Sequence, residues 1–544
     1  RDGARLERFF VQPVCAPSRA ELLTGRWHCR GGVRGVSLGQ ERLDPGVRTI
    51  AEVFRDAGYA TACFGKWHLG TQGPHHPRAR GFETFVGFTE GHWGDAFDPL
   101  LEADGEFAEH PGYLADVIAE RTVAYLDRCR ETAPDRPFFC HVAFNTPHSP
   151  FDVPDADWER FRDRPLPLRG SDGDDEDLPT TRAALAMVEN MDRNVGRVLA
   201  ALERHAIADD TIVVFFSDNG ANGARWSGGL RGRKGTVDEG GVRSVCCLRY
   251  PRRIAAGTRI DALAGAIDLL PTLAGLAGIA LAPPQPLDGI DLAPLLVGDG
   301  GGDLAARLAG RALYAVWGGK VSVRTAGHRL DGQGRLYDMQ VDPGQSRDIA
   351  AADPDTAARL GGLVAAFRRD VVALQPRPLP ERFFVGHPAW PWTELPARDG
   401  IGHGGVVRSA RAPNSSHFTR WTTAADSITW TVEVVTPGRY EADLWYTCPP
   451  ADAGATVRLT ALPDGADLAA RSVTATVTPG WDPPANRGDD RVERDAESFE
   501  KPFRTLPLGT IDLTAGPQTL RLDAPAVPGA TVADVRRLVL RPVP

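Results

Sequence analysis

The chain has 544 residues, 42% of them hydrophobic and 24% charged, and a formal charge of −9. That length exceeds what one hydrophobic core supports, so several domains are expected, and the composition is that of an ordinary soluble globular protein. The negative balance argues against a general nucleic-acid binder and no apolar run is long enough to span a membrane, so an anionic ligand would need a local basic pocket.

Residues 1–6 read as the end of a helix running into the strand-like Phe9-Phe10-Val11, with neither a start methionine nor a signal peptide. The chain is therefore expected to lack its beginning. Next comes Cys15-Ala16-Pro17-Ser18-Arg19, followed by Ala20-Glu21-Leu22-Leu23-Thr24-Gly25. Pro17 suits the first turn of a helix, whose N-terminus brings backbone N–H groups and positive dipole to the Cys15 side chain. Arg19, one turn later, adds a guanidinium on the same side. A lone cysteine is more often a buried structural residue, but this package is prepared for an anion.

Residues 49–59 have apolar positions at helical spacing and stop at Gly58. The strand expected over 60–64 delivers Gly65-Lys66-Trp67-His68-Leu69-Gly70 at its C-terminal end, the edge where ligands gather in open α/β sheets. In an extended segment Lys66 and His68 share one side. A helix over 113–129 precedes the buried-strand run 138–144, which ends in Asn145-Thr146-Pro147-His148-Ser149-Pro150. His148 stands in a loop stiffened by two prolines, whereas His141, inside the strand, reads as a packing residue.

The acidic, Gly-rich stretch 170–177 reads as a solvated loop, without the downstream glutamate of a calcium loop. A long helix over 181–205 should bury Leu185, Val188, Met191, Val195, Val198 and Leu202 along one face. The apolar strand 211–216 opens into Ser217-Asp218-Asn219-Gly220, where Asp218 and Asn219 offer hard oxygen ligands. Lys234 follows within Leu230-Arg231-Gly232-Arg233-Lys234-Gly235, with Arg231 and Arg233 as further cations of which at least one should face solvent. The eight cysteines show no metal-type spacing, and the adjacent Cys246 and Cys247 argue against a disulfide framework.

Strand–helix alternation with chemically useful residues at strand ends predicts a doubly wound, mainly parallel α/β sheet over residues 1–308. Residues 309–375 read as a small α+β subdomain, 376–412 as a Pro/Gly-rich connector, and 413–544 as an antiparallel β-sandwich of short alternating strands.

The segment at Cys15 resembles the signature of the type I sulfatases, Cys-x-Pro-Ser-Arg-x-x-Leu-Leu-Thr-Gly, at every specified position. The segment around Lys66 and His68 resembles that family's second signature, and His148, Asp218-Asn219 and Lys234 fall in similar segments in the same order. The resemblance covers roughly residues 1–375 and implies an alkaline-phosphatase-like fold and hydrolysis of sulfate esters. It implies that Cys15 is converted by a maturation enzyme to formylglycine, whose hydrate attacks sulfur beside one Ca2+ held by Asp218, Asn219 and the modified Cys15. Arg19 and Lys66 would then steady the diol oxyanion. Lys234 and His148 would hold sulfate and help the alkoxide leave, and His68 would assist release of sulfate. His92, in Glu90-Gly91-His92-Trp93, would be a further substrate contact.

The family also carries an Asp-Asp pair after its first strand. Asp2 cannot serve, so the first strand and half the metal site are expected to be missing. The sandwich resembles carbohydrate-binding sandwiches, which with Trp93 and Trp317 as ring-stacking candidates points to a sulfated carbohydrate; packing on the catalytic domain is the equal alternative. A formylglycine-dependent phosphonate or phosphodiester hydrolase and a non-catalytic glycan-binding homologue are the competing functions. The expected location is periplasmic or secreted.

Overall fold

The computed structural model describes residues 2–543 apart from 168–174, 283, 300–301, 375–381, 465–469, 487–489 and 495. The opening segment is a strand and not the end of a helix: Ala4–Phe10 forms β1. Ala4 and Leu6 are buried while Arg5 between them is exposed, the two-residue period of a pleated chain. The further strands of the N-terminal part are β2 (Ala60–Lys66), β3 (Thr84–Phe88), β4 (Leu100–Ala103), β5 (Glu106–Glu109), β6 (Phe138–Ala143), β7 (Val213–Phe216), β8 (Arg243–Ser244), β9 (Cys246–Arg249) and β10 (Thr258–Gly265). The helices that position the site are α1 (Cys15–Thr24), α2 (Ile50–Asp56), α3 (Leu114–Thr132), α4 (Asp155–Trp158) and α5 (Leu178–Arg204).

These strands build two sheets where one was expected. The first has the order β10-β1-β9-β7, with β8 also on β1; the second has the order β5-β4-β3-β2-β6. β1 runs parallel to β10, and β2 runs parallel to β3 and β6, whereas β9 is antiparallel to its neighbours β1 and β7. Among the described residues β6 pairs with β2 alone and β7 with β9 alone. Between them lies a cavity of about 890 Å³, lined by both strands and by Met191, Val195, Val198 and Leu202 of α5.

That cavity corrects the expected helix face. Leu185 and Val188 are 37% and 38% exposed, and the buried positions near them are Ala183, Ala184, Ala186 and Met187. The small residues form one cluster with Phe151, Val153 and Phe161, while the apolar stripe farther along α5 turns to the cavity. Asp177 of the acidic loop caps α5, accepting from Thr180 N at 3.1 Å, and residues 170–174 of that loop lie outside the described residues. α2 is closed by a capping box in which Thr49 and Glu52 exchange hydrogen bonds.

The small subdomain follows expectation: Leu313–Trp317, Lys320–Arg324, His328–Leu330 and Leu336–Asp338 form an antiparallel sheet, with the helix Pro354–Phe367 contributing Leu360 to its core. The connector is corrected. Residues 375–380, its Pro-rich part, lie outside the described residues, but Phe383–Val385, Thr393–Pro396, Ile401–His403 and Val407–Arg408 are strands of the sandwich. They are too short to show a period in sequence; the first three pair with the long strands Ser427–Val434 and Asp534–Pro542, and Val407–Arg408 pairs with Phe418–Thr419. Phe383–Val385 also pairs in parallel with Ser427–Val434, an exception in an otherwise antiparallel sandwich. The sandwich core is apolar and aromatic, with Trp421, Trp430, Tyr440 and Tyr446 at 1% exposure or less.

Candidate active site

Cys15 sits where β1 hands over to α1. Val14, the helix N-cap, is extended at φ −144° and ψ 165°, so Cys15 is the first helical residue. Ser18 locks the turn: its hydroxyl accepts from Gln12 N at 2.9 Å. All ten residues of α1 are buried, and the helix ends on Gly25 at φ 64°, a left-handed cap that glycine adopts without a Cβ clash. The cysteine is thus fixed at the positive end of a helix that cannot shift.

The predicted residues gather around it. The Cys15 thiol donates to Asn219 Oδ1 at 3.4 Å, just beyond the end of β7. Arg19 Nε meets Asp218 Oδ2 at 3.1 Å, and its Nη1 donates to the Lys66 carbonyl at 2.8 Å, tying the ends of β7 and β2 to α1. Lys66 is 2% exposed at the end of β2. Lys234 Nζ lies 3.0 Å from His148 Nε2. His148 Nδ1 is 2.7 Å from the Ser149 carbonyl, which can only accept, so Nδ1 carries the proton and Nε2 accepts from the Lys234 ammonium. His92 stacks on His148 with ring centroids 5.5 Å apart and planes within 14°.

His68 is held differently. Its Nε2 donates to the Val36 carbonyl at 2.8 Å, its Nδ1 is buried without a hydrogen-bond partner, and the ring adjoins the Cys15 thiol. Its backbone is left-handed, φ 68°, a conformation a residue with a Cβ keeps only when its surroundings impose it.

The electrostatics are those of an anion site. Burial opposes ionisation of Cys15. The nearby ammonium groups of Lys234 and Lys66, with the adjoining His148 and His68, outweigh it and hold the thiol well below its ordinary range. Burial lowers Lys66, His68 and His148, and the surrounding cations add to the lowering, with Cys15 partly opposing it. His92 is pushed well below the imidazole range by burial and by His148 and the lysines. Both rings that adjoin the thiol are therefore neutral bases at pH 7.

Other candidates go elsewhere. Arg231 donates to Tyr337 Oη at 2.6 Å and anchors the small subdomain, while Arg233 is exposed. His141 lines the cavity, and burial lowers it to about 3. Trp93 is 5% exposed, stacked on Phe88 at 5.3 Å, and Trp317 packs in the core shared with the subdomain, so both serve packing. Among the described residues no group of three or more His, Cys, Asp and Glu side chains is placed to hold a metal ion. Asp218 and Asn219 are oxygen donors of the kind Ca2+ takes, but two are far from the roughly six to eight it needs. They lie on the lining of the cavity between β6 and β7.

One participant had no signal in the sequence. Asn414, in a loop of the sandwich, accepts from Gly91 N at 3.3 Å and donates to the Val36 carbonyl at 3.4 Å. Both of these partners lie more than 300 positions away, so no local pattern marks it.

A family model described as Sulfatase matches residues 1–279. Arylsulfatase A of Homo sapiens is 35% identical over 334 residues, which cover 55% of this chain and 61% of that protein. N-acetylgalactosamine-6-sulfatase of Canis lupus familiaris is 32% identical over 332 residues, covering 55% and 60% respectively. The chain thus spans about three fifths of the length of these relatives. Among solved structures, Ps i-CgsB in complex with k-i-k-neocarrahexaose superposes with a TM-score of 0.59 at 25% identity, over 68% of this chain and 86% of that one.

Proposed function

Because the chain belongs to the sulfatase family, we propose that it hydrolyses sulfate esters of a carbohydrate, with Cys15 as the precursor of a formylglycine nucleophile. The observation that carries this reading is the setting of Cys15. It is the first residue of a buried helix, Lys66 and Lys234 hold its thiol well below the ordinary range, and it adjoins an imidazole whose free nitrogen is a base. The carbohydrate assignment draws on the relatives, one named for N-acetylgalactosamine 6-sulfate and one solved with a neocarrahexaose.

The converted side chain would supply a hydroxyl nucleophile to sulfur. This chain's own residues do the rest. Lys66 and Arg19, whose guanidinium bridges Asp218 and the Lys66 carbonyl, neutralise the negative charge that grows on the nucleophile's oxygens. His68, protonated at Nε2, takes a proton at Nδ1. The Lys234 ammonium holds the sulfate oxygens, and the proton shared between its Nζ and His148 Nε2 is placed to pass to the leaving alkoxide. Asp218 and Asn219 would hold part of the shell of a Ca2+ ion, which would add positive charge beside the sulfuryl group.

The test is expression with a formylglycine-generating enzyme, followed by mass measurement of the Cys15 peptide and assay on matched aryl sulfate and phosphate esters. The expected result is the aldehyde mass and faster release of sulfate. Faster release of phosphate would replace the reading by a phosphonate or phosphodiester hydrolase. An unmodified thiol with glycan binding but no turnover would replace it by a binding protein.

A further inference from the structure

The rim of the Cys15 pocket is held from outside the N-terminal part. The loop residues 409–417 of the sandwich meet the segments that carry His68 and His92. Ser415 Oγ donates to the His92 carbonyl at 3.0 Å, and Asn414 joins Gly91 to Val36. The packing is close: a Cβ on Gly91 would stand 2.5 Å from Asn414 Nδ2 and 2.6 Å from His68 Nε2. Behind Asn414, Arg398 donates to its Oδ1 at 3.0 Å and to Thr71 Oγ1 at 2.6 Å, and lies 3.6 Å from Glu41. Arg398 is fully buried and Asn414 is 8% exposed.

We propose that Asn414 is a positioning residue for His68, so that the β-sandwich completes the catalytic site. This rests on the reading of Cys15 and His68 given above. The orientation of the Asn414 amide is fixed, because its oxygen meets two donors, Gly91 N and the Arg398 guanidinium, and its nitrogen meets the Val36 carbonyl. That same carbonyl accepts from His68 Nε2. By fixing the carbonyl and the Gly91 amide against which His68 lies, Asn414 keeps the imidazole in the tautomer with Nε2 protonated and Nδ1 open toward Cys15. The pairing uses charge, direction and close approach together, which chance packing of two domains does not require.

The test uses the full chain with Cys15 left as the thiol and histidines labelled with 15N, the His68 signals being assigned by comparison with His68→Gln. At pH 7 the wild type should show a single tautomer, protonated at Nε2. Asn414→Ala should show a mixture and, after conversion of Cys15, a kcat for sulfate release about tenfold lower with KM within about twofold. Ser416→Ala, in the same loop with its hydroxyl on the Pro413 carbonyl, should keep the single tautomer. If Asn414→Ala does not fold, Asn414→Ser is read in the same way. An unchanged His68 tautomer in the Asn414 variant, or an equal change in Ser416→Ala, overturns the proposal. A tautomer change in a protein that releases no sulfate upholds the positioning role and overturns the sulfatase reading instead.

Discussion

Arg398→Met removes a charge from the middle of the contact between the sandwich and the N-terminal part while keeping an apolar stem of similar length. Arg398 is at 0% exposure, with Asp399 Oδ1 at 3.5 Å, Glu41 Oε1 at 3.6 Å, and hydrogen bonds to Thr71 and Asn414. Glu41 is itself 1% exposed, so the substitution takes one buried cation from the carboxylates of Glu41 and Asp399 and leaves Arg42 as the other. Breaking such a pair from one side costs about 3–5 kcal/mol. At roughly 2–4 °C per kcal/mol for a domain of this size, the corresponding transition should fall on the order of 10 °C by differential scanning calorimetry. The pH dependence supplies the sign. Burial already raises Asp399, to about 6, with Arg398 opposing that rise. A carboxyl raised on folding stabilises most at low pH and loses that contribution as pH climbs through its folded value. Without Arg398 the rise is larger, so the deficit of the variant should widen from pH 5 to pH 8. A midpoint within about 2 °C of wild type at pH 8, or a deficit that narrows with pH, would refute the reasoning. Glu41→Gln added to Arg398→Met should recover part of the loss, because it removes one of those carboxylate charges.

Lys234→Ala takes the ammonium from His148 and one cation from the pocket, and should lower kcat for sulfate ester hydrolysis by about a hundredfold; a loss under about threefold would remove Lys234 from the mechanism. Gly91→Ala deletes no functional group, yet its methyl would press on His68 and Asn414, and a kcat loss of at least about tenfold is expected. Asp95, which accepts from Asn486 at 2.8 Å, is raised from 3.8 to about 7, by burial first and Glu500 next. Its folded form therefore binds a proton that the unfolded chain releases, and that contribution fades as pH rises through about 7. The wild-type melting midpoint should fall between about pH 5.5 and 8 by more than that of Asp95→Asn, and parallel curves would exclude the assignment.

Some of this protein was determined by its sequence alone, because the relevant physics is local. The turn into α1, with Pro17 and Arg19 after Cys15 and Gly25 at the end, is set by dihedral preferences and dipoles within ten residues. So are the strand that delivers Lys66 and His68 and the alternation of Ser427–Val434 in the sandwich. Tertiary structure alone decided the features that depend on distant partners. The Ala4–Phe10 strand is too polar at Arg5, Glu7 and Arg8 to declare itself, and exists because β10 pairs with it. The stripe on α5 reads as core in sequence but lines a cavity, since β6 and β7 do not pair with each other there. The tautomers of His68 and His148 follow from the Val36 and Ser149 carbonyls. Asn414 reaches the site only because two domains pack through buried charges. A side chain's type states what chemistry it can perform; which atom holds the proton depends on neighbours that the order of residues does not name.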